Sequence, residues 1–222
     1  MNLVVFDFCE TLVHFQTADR FVDYVIEKEK YDKYRWLRFV TRVLSKLRVI
    51  AIVNKFCPEL NLAKRLKLFQ IRGVESSRIE VLAKDFYEQE LMTHLIAPLY
   101  DLLQHHINQN DYIMLISGGY SPYIKVFLEH HHLKKHFATE IEMSDGKVTG
   151  FFSGKDCLFA QKVVLLDQFL KDSAMLFSKS IAYSDSISDL PLLQWADEGV
   201  VVSRAKPQAW TKTYGFKEIV HD

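Results

Sequence analysis

Three short apolar runs in this chain each end at a polar residue capable of chemistry. Leu3-Val4-Val5-Phe6 ends at Asp7, residues 112–116 end at Ser117, and residues 180–184 end at Asp185. Runs of this length, rich in β-branched and aromatic residues, read as buried strands. Helical patterns separate and follow them, at about 98–110, from Pro122, at 161–170, at 190–195 and at 206–214, with a further strand at 200–202. Residues 141–152, centred on Asp145-Gly146, read as a hairpin. Strands that alternate with helices need right-handed crossovers, which makes the expected fold α/β: a doubly wound, mostly parallel, Rossmann-like sheet. In such sheets ligands bind at the carboxyl ends of the strands, so Asp7, Ser117 and Asp185 should meet at one edge.

Residues 17–97 have a different pattern. Thr17 is the expected N-cap of a helix carrying Phe21, Val22, Val25 and Ile26, and Trp36, Leu37, Val40, Val43, Leu44 and Leu47 continue the helical spacing. Ser77 with Glu80 reads as a capping box ahead of Val81, Leu82 and Phe86. The expected organisation is a core domain of residues 1–13 and 98–222 with a helical cap of residues 14–97 inserted after the first strand.

With 28 basic and 28 acidic residues, the chain lacks the cationic surplus of a nucleic-acid binder. Its longest apolar stretch in the basic region, residues 49–53, is far short of the roughly 20 needed to span a bilayer. The N-terminus lacks a basic, cleavable leader pattern. Cys9, Cys57 and Cys157 are too few and too scattered for a disulfide framework, which suggests reduced thiols and a cytoplasmic location. The one local charge excess, residues 30–48, is expected to be the solvated face of a cap helix, ahead of substrate steering or contact with a membrane surface. His130-His131-His132 with Lys134, Lys135 and His136 reads as the cationic end of a helix rather than a metal site. The sequence sets no oligomeric state.

Phe6-Asp7-Phe8-Cys9-Glu10-Thr11-Leu12 resembles motif I of the haloacid dehalogenase (HAD) superfamily, usually Asp-x-Asp-x-Thr. Leu115-Ile116-Ser117-Gly118-Gly119 resembles motif II, Lys162 motif III, and Ser184-Asp185-Ser186-Ile187-Ser188-Asp189 motif IV. The order of the motifs and the position of the insertion are similar to the phosphoserine-phosphatase-like branch, subfamily IB, with a helical C1 cap.

The resemblance implies a Mg²⁺-dependent phosphatase acting on a small phosphorylated metabolite, with Asp7 as nucleophile and an aspartyl-phosphate intermediate. It implies Mg²⁺ at Asp7, the Cys9 carbonyl, Asp185 and, through water, Asp189. Thr11, Ser117 and Lys162 join Asp7 and Cys9 as the catalytic set, and Gln16, Gly118 and Ser188 are the expected substrate contacts. The departure is Cys9, which stands where the branch places a second Asp as general acid and base. Glu10 and His14 are the candidates to supply that proton transfer. A slow phosphotransferase, or an impaired phosphate-ester binding protein, is the alternative function.

Overall fold

A computed structural model describes residues 1–57 and 60–222. Its seven-stranded sheet is built around β1 (Leu3–Phe6), which lies between β2 (Tyr112–Tyr120) and β5 (Ser180–Ser184). Beyond β2 come β3 (Lys135–Ser144) and β4 (Lys147–Ser153); beyond β5 come β6 (Glu198–Arg204) and β7 (Lys217–His221). Every pairing is parallel except β3 with β4. All four β1 residues are buried, as expected of a central strand covered on both faces. Val4 and Phe6 face one apolar cluster with α6 (Ala97–Asn108) and α7 (Ser121–His130). Leu3 and Val5 face another with α8 (Ala160–Ser173), α9 (Leu190–Trp195) and α10 (Ala209–Tyr214).

The 141–152 hairpin forms, turning through Asp145 and Gly146 at φ 49° and 72°, as a tight two-residue turn requires. β2, β3 and β6 extend beyond the sequence reading, β6 spanning Glu198–Arg204 rather than 200–202, and β7 is new to it. β2 continues through Ser117-Gly118-Gly119 to Tyr120 with a register shift against β3, because extended glycine backbone prolongs the strand past its apolar run. β3 starts earlier, at Lys135, where parallel pairing to β2 carries polar residues. β7 has no counterpart in the sequence reading; it lies on a sheet edge, where little burial leaves a weak apolar signal.

The insertion comprises α1 (Thr17–Glu29), α2 (Arg35–Lys46), α3 (Val49–Phe56), α4 (Leu62–Phe69) and α5 (Ser76–Phe86). The chain leaves and re-enters the sheet layer side by side: His14 N donates to the His94 carbonyl at 3.0 Å and Ile96 N to that of Leu12 at 2.9 Å. Phe21, Val22 and Val25 of α1 and Ile79, Leu82 and Phe86 of α5 share one buried cluster with Tyr123 and Phe127 of α7. The Phe86 ring centroid is 5.2 Å from Phe21, 5.4 Å from Tyr24 and 5.3 Å from Tyr123. Gly150, at φ +89°, brings β4 against α4, where a Cβ would meet the Phe69 backbone at 3.1 Å.

Three local expectations for the insertion are corrected. Thr17 is the first helical residue, behind Gln16 at the N-cap, and its hydroxyl is drawn to Cys9 and Tyr123 instead. The Ser77–Glu80 capping box does not form, since α5 starts one residue earlier behind Glu75. The apolar positions of α2 do not all turn inward: Leu37 is buried, while Trp36, Phe39, Val43 and Leu47 face solvent.

Truncating Phe86 to Ala removes a ring that joins the insertion to α7. Phe86→Ala should lower unfolding free energy by roughly 3–5 kcal/mol in urea denaturation.

Candidate active site

The register of the sheet gathers the site. Phe6 pairs with Leu115 on one side and Tyr183 on the other, so the chain passes the same edge at Asp7, Ser117 and Asp185. Asp7 N donates to the Tyr183 carbonyl at 2.9 Å, holding the strand end in place. Lys162, in the first turn of α8, is buried and reaches across the edge. Its Nζ donates to Asp7 Oδ1 at 2.9 Å and to Asp189 Oδ2 at 2.6 Å. Ser184 Oγ donates to the same Asp189 oxygen at 2.7 Å. Burial alone would discharge Lys162, but Asp7 and Asp189 outweigh it and hold the ammonium well above its usual range.

The carboxylates respond in the opposite sense. Burial pushes Asp7 up to about 6, against the pull of Lys162 and helped by the charge of Asp189. Burial, then the charges of Asp7 and Glu10, push Asp185 up to about 8, against a hydrogen bond from Thr11. Thr11, itself buried, braces Asp185 twice: its hydroxyl donates to Oδ1 at 3.1 Å and accepts from the backbone N at 3.1 Å. Asp189 Oδ1 is buried with no hydrogen-bond partner among the described residues. Two carboxylates on one ammonium, a third, Asp185, repelled by both of them, and an orphaned oxygen on Asp189 fit a further cation. Among the described residues no three His, Cys, Asp or Glu side chains are grouped to hold a metal alone. A divalent ion would therefore also need backbone carbonyl and water oxygens, as hard cations with retained waters accept.

Cys9 lies in the same site, within electrostatic reach of Asp7. Its Sγ is 2.9 Å from Thr17 Oγ1 and 3.7 Å from Ser117 Oγ. Thr17 Oγ1 is 2.6 Å from the Tyr123 hydroxyl, which accepts from Tyr120 N at 2.8 Å. Burial, then the neighbouring charge of Asp7, push the thiol up from its ordinary range, so it is held protonated near neutrality. Ser117 Oγ accepts from Gly119 N at 2.9 Å.

A cavity of about 330 Å³ opens over this edge. Of the residues singled out in the sequence, Asp7, Cys9, Gln16, Gly118, Lys162, Asp185, Ser188 and Asp189 line it, as does Glu10, whose carboxylate accepts from Gln16 Nε2. Thr11 and Ser117 stand behind that wall. His14 is elsewhere, its ring 5.3 Å from His221 in a second cavity with Arg204 and Lys206.

Sequence reasoning missed a buried group at the cavity's insertion side. Lys64 of α4 donates to Thr139 Oγ1 at 2.9 Å, to Asp156 and to the Gly118 carbonyl, and Asn61 donates to Asp156 at 3.2 Å. Burial lowers the Lys64 pKa, against the pull of Asp156. The sequence gives little warning of it, since Leu62–Phe69 reads as an ordinary amphipathic helix whose lysines face water.

The family profile of haloacid dehalogenase-like hydrolases matches residues 4–194. Histidinol-phosphatase of Neisseria meningitidis serogroup C (strain 8013) is 23% identical over 220 residues, 94% of this chain and 96% of that protein. A protein of unknown function from Bordetella pertussis Tohama I shares the fold at TM-score 0.81 and 20% identity, over 98% of this chain and 97% of that one. A substrate-bound phosphoserine phosphatase does so at TM-score 0.65 and 17% identity, over 98% of this chain and 92% of that one. The chain belongs to the haloacid dehalogenase-like hydrolase family. Within that family it shares its fold with solved phosphoserine phosphatases.

Lys162→Met would leave buried carboxylates without their counter-charge and should destabilise the fold by about 3–5 kcal/mol at neutral pH. Denaturation curves taken at falling pH should show the deficit shrinking as pH falls through about 6, where Asp7 takes up a proton in the folded wild type as well.

Proposed function

We propose that this chain is a cytoplasmic, Mg²⁺-dependent phosphatase that hydrolyses a small phosphomonoester through an aspartyl phosphate on Asp7. The observation that carries the reading is the buried Lys162 ammonium between Asp7 and Asp189, beside Asp185 and on the floor of a cavity of about 330 Å³. The volume suits a small metabolite. The relatives named histidinol-phosphatase and phosphoserine phosphatase support a phosphomonoester as the substrate class. Three free cysteines, two of them buried, suit a reducing compartment.

Asp7, Asp185 and the Cys9 carbonyl would hold Mg²⁺, with Asp189 acting through water. When bound, the ion supplies positive charge where two anions must meet. Asp7 attacks phosphorus in line; the ester P–O bond breaks and the alcohol leaves after taking a proton. Lys162 keeps Asp7 ionised and oriented for that attack. The Gly118 amide faces the phosphoryl oxygens, the Ser117 hydroxyl behind it reaches them as the ester settles against the strand end, and Gln16 and Ser188 contact the substrate from the cavity wall.

Cys9 differs from the usual carboxylate in both half-reactions. A buried thiol held protonated has a proton to give the leaving alcohol but no base to offer the water that opens the aspartyl phosphate. Glu10 is the motif I carboxylate on the cavity wall available for that task, with Asp19 also on that wall; His14 lines only the adjoining cavity, which Glu10 and Asp185 border as well. Hydrolysis of the intermediate is therefore the slow step, and transfer to an added alcohol competes with it.

Phosphate release from a panel of small esters tests the reading. Release should stop with chelator and in Asp7→Asn, and Cys9→Asp should raise turnover by about 10²- to 10⁴-fold, the usual contribution of a placed acid or base. No release from either the wild type or Cys9→Asp, with Mg²⁺ present, would defeat it. Glu10→Gln should lower turnover with phosphoenzyme formation retained; unchanged turnover would remove Glu10 from the mechanism.

Mg²⁺ should also raise the thermal midpoint of the wild type, because a ligand bound only by the folded chain stabilises it. Asp185→Asn should abolish that rise while leaving the metal-free protein folded.

A further inference from the structure

The insertion carries a surface that the site does not use. Between residues 33 and 57 lie seven Lys or Arg residues and no Asp or Glu, in a chain with no net charge. On α2 and its C-cap, Trp36, Phe39, Val43 and Leu47 recur at intervals of three and four, so they form one stripe along the helix. That stripe faces water, with exposures of 59%, 69%, 36% and 65%. Arg35, Arg38, Arg42 and Lys46 repeat the same intervals one position earlier, which sets an exposed basic row alongside the apolar one. On α3, Ile52 and Phe56 add two more apolar side chains at 54% and 78% exposure, with Arg48 and Lys55 exposed near them. Large apolar side chains gathered this densely on a surface mark a site of interaction.

We propose that the outer face of α2 and α3 docks on an anionic lipid bilayer surface. The apolar stripe enters the boundary between headgroups and acyl chains, and the basic row pairs with lipid phosphates, its aliphatic stems lying along the apolar region. Among the described residues no helix is long and apolar enough to cross a membrane, so the helices lie on the surface rather than span it. The charge selects this occupant over a second copy of the chain. Packing the stripe on itself would bring two basic rows together with no carboxylate from this segment to offset either, whereas an anionic bilayer complements the row along its whole length. The inference does not rest on the phosphatase reading, and its test needs no turnover.

The full chain is sedimented with vesicles of phosphatidylcholine alone and of phosphatidylcholine mixed with phosphatidylglycerol. Binding is expected to the mixed vesicles, to weaken as salt is raised, and to come with a blue shift of tryptophan fluorescence that Trp36→Phe removes. Two paired variants, Phe39→Ser with Leu47→Ser and Arg35→Glu with Arg42→Glu, should each lower partitioning at least about ten-fold, with circular dichroism unchanged. Because these side chains are exposed, a folded variant is expected in both cases, and the Arg pair leaves the apolar stripe intact as an independent check. Equal binding to both vesicle types, no binding to either, or binding that survives both variants would overturn the proposal. So would a dimer in sedimentation velocity that Phe39→Ser with Leu47→Ser dissociates while wild-type vesicle binding is absent.

Discussion

The Lys162 ammonium, buried between Asp7 and Asp189, is the interaction on which the rest of the site depends. A buried charge is costly unless paired and hydrogen-bonded. Here one ammonium joins the end of β1, the start of α8 and the turn after β5, three pieces of chain that are far apart in sequence. Ser184 bonds the same Asp189 oxygen, and Thr11 bonds Asp185 through both its side chain and its backbone. The arrangement leaves three carboxylates about one ammonium and a buried, unpartnered Asp189 oxygen, and burial with mutual repulsion pushes Asp7 and Asp185 up. The family's chemistry, in which an anionic nucleophile meets an anionic ester, adds to that repulsion.

The insertion divides into an inner part and an outer part. α1 and α5 share buried aromatic rings with α7, and through Thr17 and Tyr123 the inner part also sets the surroundings of the Cys9 thiol. The neutral hydroxyls beside Cys9 bind a protonated thiol readily. Asp7 is a charged neighbour on one side, and the buried Lys64 ammonium lies within electrostatic reach on the other. The outer part, α2 and α3, is held on through α4 and leaves its apolar stripe and basic row in water. Amphipathic pattern alone marks both parts as helical and does not distinguish them.

What could be read in the sequence followed from patterns that a neighbour along the chain enforces. Apolar runs ending at Asp7, Ser117 and Asp185 marked three strand ends, and Asp145-Gly146 marked a turn that needs two positive φ angles. Alternation of strand and helix implied a parallel sheet, in which those ends share one edge. Thr17 shows where such reading stops. A threonine ahead of an apolar periodic run is the usual sign of a helix cap, but its hydroxyl is taken by Cys9 and Tyr123, residues that only folding brings near.

The sequence by itself determined the fold class, the edge at which the site lies and most of the residues on the cavity wall, because strand register and motif order are local or nearly local properties. Tertiary structure decided the remainder. It placed Lys64 under the cavity against Asp156 and Thr139, Glu10 on the wall and His14 away from it, and the apolar side of α2 in water rather than in the core. Each of these depends on which distant groups share a small volume, and burial, pairing and exposure are properties of that volume rather than of any stretch of chain.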